Sequence, residues 1–410
     1  MNHKMIILIL LATLSGTGLV QADMDMAKQM QDMEQRLQYL ERQLQSQDTL
    51  IQRKQDQIIA LEKLLAAPPV VANATTEPSE ATNDWHKAIT ISGLVEVEAT
   101  RTSNADINDT NNNNAASDLV LATVELGLNA QITDWVNANI VLLYEEDQTG
   151  LDVDAATITL GKLEHNPFYF TAGRTALPFG RFETHMVSDP FTLEIGEIFE
   201  TVALAGFEYQ GFYASAYVFN GDIKTLAETQ SRTKRIDNAG FNLGYAWETK
   251  IQGLDIGLSY LNDLAESDSI SEHLNGHNTQ DEIAAYGLHA TYRHGPFNII
   301  GEYLAAADRF ALAELDFKST GAQPKAWNLE AAYELPLMSK DHTLAIAYQV
   351  TEEALALALP EKRLLLGWSL LMLENTRLNL EFAYEQAYEV ADGGSGQDAK
   401  SLAVQLAVEF

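Results

Sequence analysis

The chain has 410 residues, no cysteine, and a formal net charge of -32 that arises from 58 acidic and 26 basic residues. Because phosphate binding needs clustered lysine and arginine, this balance excludes a nucleic-acid partner. Beyond residue 22, no apolar stretch reaches the about 20 residues that a transmembrane helix needs, which excludes a helical membrane protein.

The first 22 residues have the pattern of a secretory signal peptide. Lys4 gives a short positive start, an apolar core follows, and Val20-Gln21-Ala22 is a small-x-small cleavage site. We therefore predict that residues 1–22 are removed and that the mature chain begins at Asp23. No cysteine follows that site, so we do not expect a lipoprotein. A buried N-terminal helix is the alternative.

Residues 23–66 carry a heptad repeat. With Met30 as position a, apolar side chains fill all a and d positions to Leu65 except Gln47 and Lys54, and a repeat of about 3.5 residues aligns them in one seam. The apolar seam comprises Met30, Met33, Leu37, Leu40, Leu44, Ile51, Ile58, Leu61 and Leu65. We predict an α-helical coiled coil that holds a homo-oligomer, for example a trimer. A single amphipathic helix that lies against the rest of the protein or against a membrane is the alternative.

Residues 67–87 predict a flexible linker, because they are rich in Pro, Thr, Ser and Asn and have no periodic apolar pattern. From residue 88 the apolar period changes to two and persists to the end of the chain. Segments of about ten residues with one apolar and one polar face are typical of transmembrane β-barrels. A soluble β-sandwich also alternates, although its strands are usually shorter.

The lengths of the connections favour the barrel over the sandwich. Short links near 131–135 and 209–211 alternate with long links near 101–117 and 174–203, and this alternation continues to the last strand. Outer-membrane barrels combine short periplasmic turns with long outer loops. We therefore predict an all-β transmembrane barrel of about 16 antiparallel strands over residues 88–410, following the N-terminal α-helical coiled coil.

The ends of the strands support the same prediction. Aromatic residues such as Tyr144, Trp247 and Tyr333 close the apolar runs, as expected for the girdles at the two membrane interfaces. The last strand alternates and ends on Phe410. This ending resembles the signal that the barrel-assembly machinery recognises, so we expect that machinery and outer-membrane lipid as partners. The predicted location is the outer membrane of a Gram-negative bacterium, with the coiled coil in the periplasm.

The sequence offers little support for an enzyme. The nine histidines are scattered, no His/Cys cluster has metal-ligand spacing, and no phosphate-binding glycine loop or Gly-x-Ser-x-Gly elbow is present. We therefore predict neither catalytic residues nor a metal or cofactor. Only the coiled coil and linker precede the barrel, so we expect no plug domain and diffusive passage through the channel.

The segment 174–203 is the longest connection and the best candidate for a loop that folds into the channel. Opposed charges across a narrow place create a transverse field and set ion preference. Its charged residues are the candidates for a constriction and for solute contact: Arg174, Arg181, Glu183, His185, Asp189, Glu194, Glu197 and Glu200. An ordinary surface loop is the alternative.

Seven glutamates on the polar faces of the strands predict an acidic lumen and a preference for cations. They are Glu96, Glu98, Glu125, Glu145, Glu302, Glu330 and Glu381.

The motifs Leu177-Pro178-Phe179-Gly180, Glu183-Thr184-His185 and Ser188-Asp189-Pro190 resemble the siderophore porins typified by the legiobactin receptor. The coiled coil, the linker and the terminal Phe410 are similar too. The resemblance implies uptake of a ferric siderophore without an energy-coupled plug. It also implies that Arg174 and Arg181 are contacts for a carboxylate siderophore.

Three hypotheses follow from the sequence. The leading hypothesis is a plug-free porin for a ferric siderophore or a similar small polar solute. A general porin for small solutes and ions is the second. In the third, the barrel is an anchor for a structural coiled coil.

Overall fold

The computed structural model describes residues 88–108, 114–162, 165–226, 235–274 and 278–410. The predicted signal peptide (1–22), coiled coil (23–66) with its heptad seam, and linker (67–87) lie outside the described residues and stay predictions.

Sixteen antiparallel strands close into one barrel, which confirms the predicted barrel and its strand count. The barrel strands are β1 (Ile89–Thr102), β2 (Ala116–Thr133), β3 (Val136–Tyr144), β4 (Asp152–Gly161), β5 (Phe168–Ala176), β6 (Phe199–Tyr209), β7 (Phe212–Phe219), β8 (Asn238–Glu248), β9 (Gln252–Leu261), β10 (Ala285–His294), β11 (Phe297–Ala306), β14 (Lys325–Leu337), β15 (Lys340–Glu352), β16 (Lys362–Leu373), β17 (Thr376–Gln386) and β18 (Asp398–Glu409). Each strand pairs with its sequence neighbour, and β18 pairs with β1 to complete the circle.

Short elements lie in the connections between the barrel strands. The helices are α1 (Phe191–Gly196) and α2 (Asp268–Leu274), and a small hairpin joins β12 (Asp316–Phe317) to β13 (Thr320–Gly321). Single 3-10 turns cover Leu264–Glu266, Leu355–Leu357 and Val390–Asp392. Within the described ranges, no helix is both long and apolar enough to span a membrane.

Long and short connections alternate around the barrel as the sequence predicts. The turn from β6 to β7 shows how tight the short connections are. Gln210 and Gly211 both have positive φ, of 51° and 88°, the backbone that a two-residue hairpin between twisted strands requires. A Cβ at Gly211 would lie 2.2 Å from the carbonyl oxygen of Ala246, so the close approach of β8 also favours glycine there.

The barrel places its apolar face outward. On β14, Leu329 is 54% exposed, whereas its neighbours Asn328 and Glu330 are almost completely buried. In a soluble domain this pattern would be reversed, because burial of apolar surface is the main stabilising term in water. An outward apolar face is stable in lipid, where the closed ladder satisfies every strand's backbone hydrogen bonds.

The long connections build an apolar cluster of their own at one end of the barrel. It includes Phe179, Phe191 and Ile195 from the link between β5 and β6, together with Leu264 and Ile270 from the link between β9 and β10. This cluster holds the loops together where they cannot contribute to the barrel ladder.

Buried carboxylates also connect these loops through hydrogen bonds. Glu266 accepts the backbone N–H of Asp222 at 2.8 Å and that of Ile223 at 3.2 Å, which joins two neighbouring connections. Burial raises the pKa of Glu266 to about 7.

Candidate functional site

The connection between β5 and β6 crosses to the opposite wall of the barrel. It leaves β5 after Ala176 and returns at Phe199, yet its middle is hydrogen-bonded to β11, β14 and β17. The side chains that it meets belong to the polar faces of those strands, which point away from the outward apolar residues. The segment 177–198, called the crossing loop below, therefore lies against the inner face of the barrel.

Three buried glutamates hold the crossing loop. Glu302 on β11 accepts the backbone N–H of Arg181 at 2.5 Å and the hydroxyl of Thr192 at 2.7 Å. Donors from two places in the loop thus converge on one carboxylate. Since hydrogen bonds to a charged acceptor are stronger than neutral ones, this is a firm attachment.

Glu330 on β14 holds the middle of the loop. One of its carboxylate oxygens accepts the backbone N–H of His185 at 2.8 Å and faces His185 Nδ1 at 2.7 Å. The other accepts the hydroxyl of Thr184 at 2.7 Å. His185 Nε2 lies 3.3 Å from the amide nitrogen of Asn298. His185 is therefore fixed to the wall.

Glu381 on β17 completes the set. It accepts the backbone N–H groups of Val187 at 2.6 Å and Ser188 at 3.1 Å, and also the Ser188 hydroxyl. Sequence periodicity places Glu302, Glu330 and Glu381 correctly on the inner face. It does not show that the crossing loop covers them, so they contribute less to an acidic lumen than the pattern alone predicts.

Apolar side chains fix the two ends of the crossing loop. Leu177 and Phe179 near its start, and Phe191, Ile195 and Ile198 near its end, are buried in the apolar cluster. Helix α1 lies against β11, β14 and β15. The glutamates therefore hold residues 181–188 between two apolar anchors, and Glu302 also binds Thr192 at the second anchor.

Arg363 on β16 is an inner-face residue that the sequence pattern did not single out. Its guanidinium carbon lies 4.2 Å from the centre of the Phe191 ring, within the range of a cation–π contact. Its Nε donates to Glu385 at 2.6 Å, and its Nη1 donates to the backbone carbonyl of Asp189 at 3.2 Å. An arginine at the start of a predicted strand, directly before a leucine run, is the signal that could have identified it.

A first cavity, the outer cavity, has a volume of about 610 Å³ and opens among the long connections. Its described lining contains one basic side chain, Arg174, and ten acidic ones. The acidic residues are Glu96, Glu98, Glu125, Glu145, Glu146, Asp152, Asp154, Asp189, Glu197 and Asp268. A concave surface with this imbalance concentrates cations and repels anions.

The acids of the outer cavity perturb one another. Burial, and then the nearby carboxylates of Asp268 and Asp189, raise the pKa of Glu197 to about 7. Burial raises the pKa of Asp268 to about 6, against the lowering effect of its hydrogen bond to Phe199 and of Arg174. The negative charge of this cavity therefore changes near neutral pH.

A second cavity, the inner cavity, has a volume of about 720 Å³ and lies at the short-turn end, where it reaches Tyr209 and Phe212. Its lining includes Arg181, whose Nε lies 3.0 Å from Glu183 and whose Nη2 lies 3.1 Å from Asp255. Glu183 also accepts the hydroxyl of Thr291 at 3.1 Å.

The structure thus distributes the predicted site residues over separate places. Arg174, Asp189 and Glu197 line the outer cavity, whereas Arg181 lines the inner cavity beside Glu183. His185 is fixed to Glu330. The remaining two predicted site residues, Glu194 and Glu200, lie on a helix and a strand. Glu194 is in α1, where its backbone carbonyl accepts a hydrogen bond from the hydroxyl of Ser269, and Glu200 is on β6.

The sequence pattern did not single out a hydrogen-bonded group from three strands at the inner cavity, in which Tyr213 and Asp255 line the cavity and His289 contacts Tyr213. The Tyr213 hydroxyl donates to Asp255 at 2.8 Å and lies 2.9 Å from His289 Nε2. In the sequence these residues are separated by long intervals. Only the register of β7, β9 and β10 brings them together.

A closed barrel with an apolar exterior, polar cavities and an inward-folded loop defines a channel-forming protein of the outer-membrane type. The model of a family described as Gram-negative porin matches residues 63–407, and the chain belongs to that family. The family and the barrel place the protein in the outer membrane.

Two curated relatives have names that state no activity. The chain is 26% identical over 287 residues to a UPF0422 protein of Coxiella burnetii, covering 67% of this chain and 61% of that protein. It is 25% identical over 365 residues to the UPF0422 protein lpl2888 of Legionella pneumophila strain Lens, covering 78% of this chain and 66% of the relative. The chain thus spans slightly less than two thirds of the length of these relatives.

Solved structures with a similar fold are porins and channels of low sequence identity. An anion-selective porin from Comamonas acidovorans has a TM-score of 0.55 and 13% identity, covering 78% of this chain and 99% of that one. The outer-membrane channel DcaP of Acinetobacter baumannii has a TM-score of 0.52 and 13% identity, covering 78% and 97%. At these identities the similarity shows the fold alone.

Proposed function

We propose that the barrel is a passive channel for small polar solutes, with a preference for cationic and neutral solutes over anions. The charge of the outer cavity carries this proposal, because its ten lining carboxylates face one guanidinium. A solute that enters from the long-loop end meets this cavity first, so the cavity favours cations over anions before the solute passes the crossing loop.

The proposed constriction is the crossing loop. Its attachment to Glu302, Glu330 and Glu381 supports this assignment, because a segment held to the far wall occupies part of the lumen. On the short-turn side of the loop, the charged side chains proposed to face the solute are Arg181 and Glu183. On the opposite side, they are Asp189 and Glu197.

A ferric siderophore is the specific solute that the sequence resemblance suggests. Within this proposal the chelate must be neutral or cationic, because the outer cavity repels a polycarboxylate anion. Arg174 is the basic residue that can donate to an oxygen atom of such a ligand there, and Arg181 can do so beyond the loop. A general porin for small solutes uses the same features without a siderophore.

A barrel that only anchors a structural coiled coil is a second candidate. The apolar cluster of the long connections favours it, since Phe179, Leu264 and Phe310 fill space at the mouth that a wide channel would leave open. Conductance separates the two candidates.

We also propose that the barrels associate through strands β18, β1, β2, β3 and β4. Within these strands Tyr144 is the single aromatic residue, whereas each of the other barrel strands carries at least one. Aromatic side chains favour the interface between lipid and water. A wall with few of them is suited to contact a second copy of the protein, with the predicted coiled coil as an additional attachment in the periplasm.

The test is the conductance and reversal potential of the full-length protein in planar bilayers under a potassium chloride gradient. The proposal expects an open channel whose reversal potential indicates cation preference. Addition of a neutral and of a polycarboxylate ferric siderophore should block the current only with the neutral chelate. An anion-preferring channel contradicts the proposed selectivity, and no conductance at all supports the anchor.

A further inference from the structure

The inner cavity differs in chemistry from the outer one. Its described lining carries one guanidinium, that of Arg181, and two carboxylates, those of Asp255 and Glu208, a much smaller excess of negative charge than in the outer cavity. Most of its remaining polar surface consists of neutral groups, including Thr171, Thr175 and Ser215. A volume of about 720 Å³ lies within the roughly 300–1,000 Å³ typical of small-molecule sites.

Two tyrosines that line this cavity lie over glycines of the neighbouring strand. Tyr169 on β5 is the direct cross-strand partner of Gly206 on β6, and a Cβ on that glycine would lie 2.0 Å from the Tyr169 ring. Tyr213 on β7 pairs with Gly244 on β8 in the same way, with its ring 2.3 Å from a Cβ there. Each ring therefore occupies the space that a side chain on the neighbouring strand would take, and both rings line the cavity.

Hydrogen bonds fix the Tyr213 ring in this orientation. Its hydroxyl is held between Asp255 and His289, at 2.8 Å and 2.9 Å. A Cβ at Gly257 would lie 2.7 Å from the same hydroxyl, so a second glycine leaves room for it. The pairing of tyrosine with glycine on neighbouring strands thus builds rigid aromatic platforms.

Planar polar groups lie beside these platforms. The guanidinium of Arg181 uses Nε and Nη2 for Glu183 and Asp255, and the side chain is about half exposed, which leaves other N–H groups for a ligand. Asn242 on β8 accepts the hydroxyl of Ser215 at 2.7 Å, which orients its amide in the wall. The free N–H groups of Arg181 and the amide N–H groups of Asn242 can each donate to hydroxyl groups of a ligand.

We propose that the inner cavity binds a neutral, hydroxyl-rich solute of the sugar type as it passes through the channel. The proposal rests on the function proposed above and names a solute class for it. A sugar ring presents an apolar C–H face and a rim of hydroxyl groups. The face fits Tyr169 or Tyr213, since an aromatic ring offers an apolar surface, and the rim fits Arg181, Asn242 and the hydroxyls of the wall.

The charges of the site argue against an anionic solute. Arg181 is already paired with Glu183 and Asp255, so its positive charge is compensated before a ligand arrives. An anion would also have to cross the acidic outer cavity. A neutral sugar meets neither obstacle.

The experiment measures block of the channel current by sucrose in planar bilayers. A polyethylene glycol of the same hydrodynamic radius controls for size, and citrate controls for charge. The proposal expects brief, concentration-dependent blocks with sucrose alone. Equal effects of sucrose and the polymer, or block by citrate alone, would overturn it.

Two variants with a matched control locate the site. Tyr169→Ala should raise the sucrose concentration for half-block about tenfold, the factor that roughly 1.4 kcal/mol of lost contact gives. Tyr169→Phe should retain most of the block, because the aromatic platform remains. Phe170→Ala, which removes an exposed ring of the outer face on the same strand, should have no effect. Block that is insensitive to Tyr169→Ala contradicts the proposal.

Asn242→Ala gives an independent test if Tyr169→Ala does not fold, and it should also weaken the block. Calorimetric titration of the purified full-length protein with sucrose needs no current. Sucrose binding by a non-conducting protein would support this site and refute the proposed channel, whereas conductance without sucrose binding would refute this site alone.

Discussion

A single carboxylate oxygen of Glu330 lies 2.8 Å from the backbone nitrogen and 2.7 Å from the ring nitrogen Nδ1 of His185. This pair ties the middle of the crossing loop to β14, on the wall opposite its own strands. The apolar anchors lie at the two ends of the loop, so Glu330 is central to the position of its middle, which is the proposed constriction.

We predict that Glu330→Ala loosens the crossing loop without unfolding the barrel. The change removes the acceptor of the Thr184 hydroxyl and of the His185 N–H, and an unpaired buried donor costs about 1–3 kcal/mol. Single-channel recordings should show larger current fluctuations. Glu334→Ala, at an exposed position on the same strand, is the control. If the current is equally quiet in both variants, Glu330 does not hold the crossing loop in place.

Arg174 and Arg181 should have different effects on the channel, because they line different cavities. Arg174→Gln removes the basic side chain of the outer cavity and should increase cation preference, measured as a shift of the reversal potential. Arg181→Gln should change selectivity less, since Glu183 and Asp255 already compensate its charge, and should weaken sucrose block. Identical shifts in both variants would contradict two separate cavities.

Cation preference should decrease as the pH falls from about 8 to about 6. A carboxyl group with a pKa of about 7, as burial and neighbouring acids give Glu197, is charged above that pH and neutral below it. Asp268, with a pKa of about 6, follows at lower pH. The groups that act on Glu197 are the carboxylates of Asp189, Asp154 and Glu194, besides Asp268.

The control for this pH effect is Glu197→Gln. It keeps the size of the side chain but removes its charge, so it should lower cation preference at pH 8 and flatten the pH profile of the reversal potential. A wild-type reversal potential that stays constant over this range would show that the outer cavity does not control selectivity.

Closure of the barrel should depend on the contact of Phe410 with Gly93. The two residues exchange backbone hydrogen bonds of 2.8 Å and 3.0 Å, and a Cβ on Gly93 would lie 2.3 Å from the Phe410 ring. We predict that Gly93→Val displaces the ring and reduces the folded fraction. This fraction is measured on SDS gels as the band that migrates as folded barrel in unheated samples and shifts on heating. Gly301→Val is the matched control, because a Cβ there meets nothing closer than 4.0 Å.

Phe410→Ala tests the predicted assembly signal in the same assay. If the barrel-assembly machinery reads Phe410, this variant should lower the folded yield in cells more than it lowers refolding of the purified chain in detergent. An equal loss in both would assign Phe410 a structural role only.

The proposed barrel contact can be tested by cross-linking, since the chain has no native cysteine. Leu126→Cys places a thiol on the outer face of β2, within the wall that has few aromatic residues. Leu288→Cys is the control on β10, where Tyr286 and Tyr292 lie nearby. We expect disulfide-linked dimers with the first variant alone.

Leu44→Asp, in the predicted heptad seam, asks whether the coiled coil is also needed. A monomeric mass for this variant would show that the barrels do not associate without the seam.

The sequence by itself determined the class and topology of this protein. Apolar residues at every second position, link lengths that alternate between long and short, and the aromatic residues at strand ends all follow from local chemistry along one strand or turn. They led to sixteen antiparallel strands with a polar interior, and the structure has this arrangement. The strand order agrees with this prediction, since each strand pairs with its neighbour in the chain.

Only the tertiary structure decided what the inner residues do. Glu96 and Glu330 look alike in the sequence, yet Glu96 lines the outer cavity, whereas Glu330 is buried beneath the crossing loop. Arg174 and Arg181 are close in the sequence but line different cavities. These roles depend on partners on distant strands, and no local period reports which strands a loop will reach once the barrel has closed.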